Sequence, residues 1–124
     1  MYELKVMGSF AAAHKLSMVT EKCENLHGHN WKTEVFVKAE KLDKTGVVID
    51  FGIIKGYLRE ILEYLDHKYL NELEPFKDIN ASSENISKYI ADEIDAKLGN
   101  NKEIKVSRVR VWESDDACAT YYPG

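Results

Sequence analysis

The stretch Trp31-Lys-Thr-Glu-Val-Phe-Val-Lys-Ala-Glu40 decides the fold, because its residues alternate in character. Trp31, Thr33, Val35, Val37 and Ala39 fall on one face, with Lys32, Glu34 and Lys38 on the other. A period of two marks a half-buried strand, since successive side chains of an extended chain point to opposite sides. Phe36 interrupts the polar face, so that face is expected to be partly covered. Upstream, Tyr2, Leu4, Val6, Gly8 and Phe10 alternate with Glu3, Lys5, Met7 and Ser9, which predicts another strand. Downstream, Lys41 to Gly46 is polar and turn-like, and Val47-Val48-Ile49 reads as a short strand.

Two helices follow. Asp50 is suited to cap a run in which Phe51, Ile54, Leu58, Ile61, Leu62 and Leu65 share one face. Asp66 to Ala81 contains Asn71, Pro75 and Asn80 and reads as a loop. Ser82 or Ser83 can cap a second helix, with Glu84 in its first turn. Ile86, Tyr89, Ile90, Ile94 and Leu98 supply its apolar stripe, and Gly99-Asn100-Asn101 ends it. Lys105 to Glu113 predicts a strand with Val109 and Val111 on one face, and Cys118 to Tyr122 a short last one. The order ββααββ predicts an α+β fold, with two helices on one face of a four-stranded antiparallel sheet.

Composition narrows the function classes. The 124 residues fit one domain spanning 1–124. Apolar residues make up 44% and charged residues 31%, an ordinary soluble balance. A net charge of −4 gives no electrostatic footprint for nucleic acid. No apolar run is long enough for a membrane span, and Met-Tyr-Glu-Leu-Lys-Val opens the chain without a signal segment. The expected location is cytoplasmic. In that compartment the two cysteines, Cys23 and Cys118, are expected as thiols rather than a bridge. Cys118 has no chemical neighbourhood in the sequence and reads as structural.

The chemistry gathers near the N-terminus. His14 ends the first strand, and Cys23-Glu-Asn-Leu-His27-Gly-His29 precedes the second. Residues i and i+2 of an extended segment point the same way, so His27 and His29 can grip one ion from a single strand. His14 can reach that ion from the neighbouring strand. Three imidazoles with one open position form a recognised catalytic zinc set. A cation nearby lowers a thiol pKa, which makes Cys23 a candidate base or nucleophile; the alternative is a small buried residue. Asp66-His67 couples a carboxylate to an imidazole, or else merely closes the first helix. Glu113 ends an apolar strand, either as a surface charge or as a buried carboxylate able to take bidentate hydrogen bonds from a guanidine-like heterocycle.

Taken together, Phe10-Ala-Ala-Ala-His14, Cys23-x3-His27-Gly-His29-Asn30, Val48-Ile-Asp50-Phe51-x3-Lys55, Leu65-Asp66-His67, Leu70-Asn71, Ser82-Ser-Glu84-Asn85 and Glu113 occur in order along nearly the whole chain. This set resembles the 6-pyruvoyltetrahydropterin synthase family, and within it the prokaryotic 6-carboxytetrahydropterin synthases. The resemblance implies the tunnelling fold, with subunits joined edge to edge into a barrel as a homotrimer or homohexamer. It implies zinc on His14, His27 and His29, and catalysis by Cys23 with Asp66 and His67 as proton-relay partners. It also implies pterin contacts from Glu113 and from Ser82, which stands where relatives usually have threonine. The implied reaction converts dihydroneopterin triphosphate to 6-carboxytetrahydropterin, releasing acetaldehyde and triphosphate, on a route to queuosine.

Some residues depart from the pattern. Ala81-Ser82 replaces the usual Pro-Thr, and Ser114-Asp-Asp116 stands where relatives often have Thr-Pro. That acidic pair sits where a polyphosphate substrate calls for cations, and Lys15, Lys22 and Lys55 are the candidates to supply them. Glu24 lies three residues before His27, the spacing of a folate-pathway variant that cleaves the side chain to a hydroxymethyl pterin. The alternative reactions are therefore that cleavage and the 6-pyruvoyl route. A non-enzymatic zinc- or pterin-binding protein is a more distant alternative, with no need for Cys23 and Asp66-His67.

Overall fold

The computed structural model of the chain describes residues 1–16, 26–99 and 101–124. Strand β1 runs over Tyr2–His14 and β2 over His27–Ala39. Helix α1 spans Phe51–Leu65, followed by the two-residue strand β3 at Lys68–Tyr69. After two 3-10 turns, α2 spans Ser83–Leu98, and β4 (Lys105–Ser114) and β5 (Ala117–Tyr121) close the chain. The sheet order is β3-β1-β2-β4-β5.

The α+β class and the two helices agree with the sequence reading, but among the described residues the sheet has five strands rather than four. The fifth, β3, pairs in parallel with β1 through Ala12↔Lys68 and Ala13↔Tyr69. Two residues are too few to carry a periodic signal, so the stretch reads as loop in the sequence. The expected strand at Val47–Ile49 does not form. The chain bends there instead, just after a turn in which Asp43 Oδ1 accepts hydrogen bonds from the Thr45 N–H at 2.8 Å and the Thr45 hydroxyl at 2.7 Å. Phe51, expected on the buried face of α1, is exposed, because it occupies the helix's first position, beyond the edge of the sheet-facing stripe.

The core follows the predicted faces. Val6, Phe10 and Ala12 of β1, Trp31, Val35 and Val37 of β2, and Val106, Val109 and Val111 of β4 form one cluster with the helices. α1 contributes Ile54, Leu58, Ile61, Leu62 and Leu65, and α2 contributes Ile86, Ile90, Ala91 and Ile94. Asp50 caps α1 by accepting from the Gly52 N–H, and Ser82 caps α2 by accepting from the Asn85 N–H. Gly8 lets α1 sit close on β1, since a Cβ there would lie 2.7 Å from Leu62 Cδ1. The opposite face is covered, as Phe36 suggested. The Arg108 guanidinium lies 3.9 Å from the Phe36 ring centroid, and buried Glu34 accepts from Trp112 Nε1 at 2.6 Å. Lys5 Nζ also stands 3.3 Å from Glu34. Burial raises the Glu34 pKa, but these three partners (Trp112, Lys5 and the more distant Arg110) outweigh it and hold the carboxyl below its usual value.

Candidate metal centre

The antiparallel register of β1 and β2 places His14 directly opposite His27 and Ala12 opposite His29. His14 shares its side of β1 with Val6 and Phe10; His27 and His29 share theirs with Trp31 and Val35. All three rings therefore emerge on the helix side of the sheet, at the end of the hairpin. Glu113 has the parity of Val109 and Val111 on β4, so it reaches the same place from the next strand. Parity and register make four side chains, distant in sequence, converge.

The ligand atoms of His14, His27, His29 and Glu113 all lie within 4.8 Å of one another. His14 Nε2 is 3.0 Å from His27 Nε2. Glu113 Oε1 is 2.8 Å from His29 Nε2, 3.3 Å from His14 Nε2 and 3.7 Å from His27 Nε2. A tetrahedral ion with nitrogen bonds of about 2.0–2.1 Å separates its ligands by about 3.3 Å, so the spacing suits such an ion. His29 Nε2 is buried, with no hydrogen-bond partner of good geometry among the described residues. That nitrogen faces Glu113 Oε1 at 2.8 Å and sits with the other two imidazoles, the placement of a metal ligand. Burial depresses the His29 pKa, with Glu113 partly opposing it, and so favours the neutral, ligating imidazole.

The fully buried His14 is oriented from behind. Its Nδ1–H donates to the Ala81 carbonyl at 2.7 Å, which leaves Nε2 as the donor atom facing the cluster. Sequence reasoning did not find Ala81, because the functional group is a backbone carbonyl, with no side-chain signal. Trp31 forms the floor. Its ring meets His14 edge-on at a centroid distance of 4.9 Å and His29 at 5.2 Å, while Nε1 donates to the Ala12 carbonyl at 3.2 Å.

Asp66 and His67 are brought together on the edge of β1. Asp66 Oδ1 accepts from the Ala11 N–H at 2.9 Å, and Oδ2 lies 2.8 Å from His67 Nδ1. The Ala11 N–H, then the His67 contact, hold the Asp66 carboxyl below its usual pKa. The His67 N–H donates back to the Ala11 carbonyl at 2.6 Å, and His67 has φ 57°, a left-handed conformation uncommon outside glycine. The His67 side chain is 82% exposed, and a shallow hollow lined by His29, Gly28 and Ala11–Ala13 reaches it. Ser82 is half-buried with its hydroxyl oxygen engaged in the helix cap. Lys15 and Lys55 are exposed, and Cys118 is an exposed free thiol on β5 rather than a packed residue. Cys23, Glu24 and Lys22 lie outside the described residues. Among the described residues, no helix is long and apolar enough to cross a membrane.

Fold and cluster together define a class: α+β domains that gather three histidines and a carboxylate at one end of a twisted sheet. The 6-pyruvoyl tetrahydropterin synthase family model matches residues 3–124, and the chain belongs to that family. It is similar to the 6-carboxy-5,6,7,8-tetrahydropterin synthase of Rickettsia felis, at 32% identity over 85% of this chain and 88% of that protein. It is also similar to the dihydroneopterin monophosphate aldolase of Pyrococcus furiosus, at 34% identity over 87% and 86% of the two chains. In fold it resembles the 6-pyruvoyl tetrahydropterin synthase of Caenorhabditis elegans, with a TM-score of 0.85, 24% identity and coverage of 99% and 96%.

Proposed function

We propose that the chain is a cytoplasmic, zinc-dependent lyase that converts dihydroneopterin triphosphate and one water to 6-carboxytetrahydropterin, acetaldehyde and triphosphate. The observation that carries this reading is the convergence of His14, His27 and His29 within ligand distance of one another. Zinc held by these three residues supplies Lewis acidity toward the substrate's side-chain hydroxyls. Cys23, four residues before His27, removes a proton from the adjacent carbon as thiolate. His67, with its Nδ1 held by Asp66, returns a proton from Nε2. The Ala11 N–H holds Asp66 in turn, so relay and metal ligands are both referenced to β1.

Glu113 accepts hydrogen bonds from the N–H edge of the pterin. One of its oxygens lies among the imidazoles, and the second is assigned to the pterin. The Ser82 hydroxyl accepts the Asn85 N–H and still has its own proton to donate to the ring. The subunits assemble as a trimer or hexamer. β1 from Tyr2 to Phe10 has no outer neighbour among the described residues, and β5 forms the other edge, so two unpaired edges are available to close a barrel.

A second reading has its own support. Glu24 has the spacing of the side-chain-cleaving variant, and the Pyrococcus furiosus relative is named for a monophosphate substrate. Asp115 and Asp116, exposed beside Glu113, disfavour a triphosphate more than a monophosphate. Product analysis on both phosphate esters decides. 6-carboxytetrahydropterin with acetaldehyde supports the first reading. A hydroxymethyl dihydropterin whose formation needs Glu24 and not Cys23 establishes the second.

A further inference from the structure

The backbone ladder between β1 and β3 ends at Ala13↔Tyr69, because the chain turns there into the 3-10 segment Leu70–Glu72. Leu70, fully buried, anchors that turn. The next residue, Asn71, extends the pairing by one rung with its side chain. Its Oδ1 accepts from the Lys15 N–H at 2.9 Å, and its Nδ2 donates to the Lys15 carbonyl at 2.7 Å. A carboxamide carries the same donor and acceptor as a peptide unit, so it can replace a strand residue in a two-point contact. His14 therefore lies between a backbone rung on Ala13 and an amide rung on Lys15. Its ring is held separately by the Ala81 carbonyl.

We propose that Asn71 is a positioning residue for the metal centre, fixing the backbone on which His14 is mounted. This rests on the reading of the histidine cluster as a metal site. Both Asn71 bonds are solvent-exposed, so they add little to overall stability. Their value is geometric. A metal ligand displaced on its backbone loses alignment with its partners, and groups that orient ligands from outside the coordination sphere typically change metal affinity about 10–100-fold.

The test is the zinc dissociation constant of the full chain, measured by competition with a chromophoric chelator. Wild type, Asn71→Ala and Asn71→Asp are compared with Thr45→Ala. Thr45→Ala removes one exposed side-chain hydrogen bond, from its hydroxyl to Asp43 Oδ1, at the opposite end of the β1–β2 pair. Asn71→Ala is expected to weaken zinc binding about tenfold or more, with unchanged stoichiometry at saturation and faster amide exchange at Lys15. Asn71→Asp keeps the acceptor and loses the donor, so it is also expected to bind zinc more weakly than wild type, and it carries the test should the alanine variant not fold. Thr45→Ala is expected to bind zinc as wild type does. An Asn71→Ala constant within about twofold of wild type, or an equal loss in Thr45→Ala, overturns the inference. A wild-type chain that does not hold zinc refutes the metal reading itself, which separates the two failures.

Discussion

Replacing His27 by alanine separates the metal from the fold. His27 opens β2 and its side chain is 35% exposed, so truncation removes little buried surface. The metal-free variant is therefore expected to stay within about 1 kcal/mol of wild type. Two remaining imidazoles bind zinc far more weakly than three, and a loss of about a thousandfold corresponds to about 4 kcal/mol. Free zinc at about a thousand times the wild-type dissociation constant stabilises wild type by about 4.1 kcal/mol and the variant by about 0.4 kcal/mol. For 124 residues, the unfolding entropy near the midpoint is about 0.26 kcal/mol per kelvin. Zinc should then raise the wild-type melting temperature by about 16 °C and that of the variant by about 2 °C. Calorimetry in zinc buffers, with metal analysis showing about one ion per wild-type chain, reads this directly. A variant that keeps the full zinc shift refutes the ligand assignment. A variant already unfolded without zinc shows instead that His27 is structural.

The remaining expectations concern chemistry and pH. Cys23→Ala should keep zinc and fold while losing turnover by about two orders of magnitude or more, and Glu24→Ala should retain most activity; steady-state kinetics on both variants checks this. Asp66→Asn keeps an oxygen for the Ala11 N–H but cannot accept from His67 Nδ1–H, so kcat should fall about a hundredfold or more with the melting temperature nearly unchanged. Burial keeps His29 below the ordinary 6.5, so between that lowered value and 6.5 the unfolded chain binds more protons than the native one. The stability of the metal-free protein should therefore rise with pH across that window and be lost as pH falls through it; denaturant titrations from about pH 7 to 5 test the sign.

Much of this was legible because strands expose parity. The alternation of Trp31 to Ala39 placed β2, and the same parity placed His27 and His29 beside the core rather than in solvent. Glu113 follows Val109 and Val111 at intervals of two, so its convergence on the histidines is also written in the chain. Its closeness to them is more than the pterin-anchoring role required. What could not be read lies in contacts without a local pattern. β3 is two residues whose pairing depends on Ala12 and Ala13, more than fifty positions away. Ala81 contributes only a carbonyl. The cover over Glu34 and Phe36 comes from Arg108, Arg110 and Trp112, which in sequence look like an ordinary charged face.

The backbone at His67 carries a further argument. A left-handed residue with a Cβ costs about 1–2 kcal/mol relative to the ordinary helical region, and glycine escapes that cost. His67 accepts it because its N–H must reach the Ala11 carbonyl while its ring stays against Asp66. Strain held at one residue by surrounding contacts is a common property of catalytic positions. The reasoning can be tested by removing the imidazole in two ways. His67→Ala and His67→Gly both lose the proton donor and should be equally inactive. Alanine normally stabilises a chain relative to glycine by restricting the unfolded state. At a left-handed position the order should reverse, with His67→Gly more stable than His67→Ala by about 1 kcal/mol, or about 4 °C in melting temperature. If the alanine variant is instead the more stable, the Ala11 carbonyl does not by itself hold this backbone left-handed. The relay would then lack the rigid mounting that the Asp66→Asn expectation depends on.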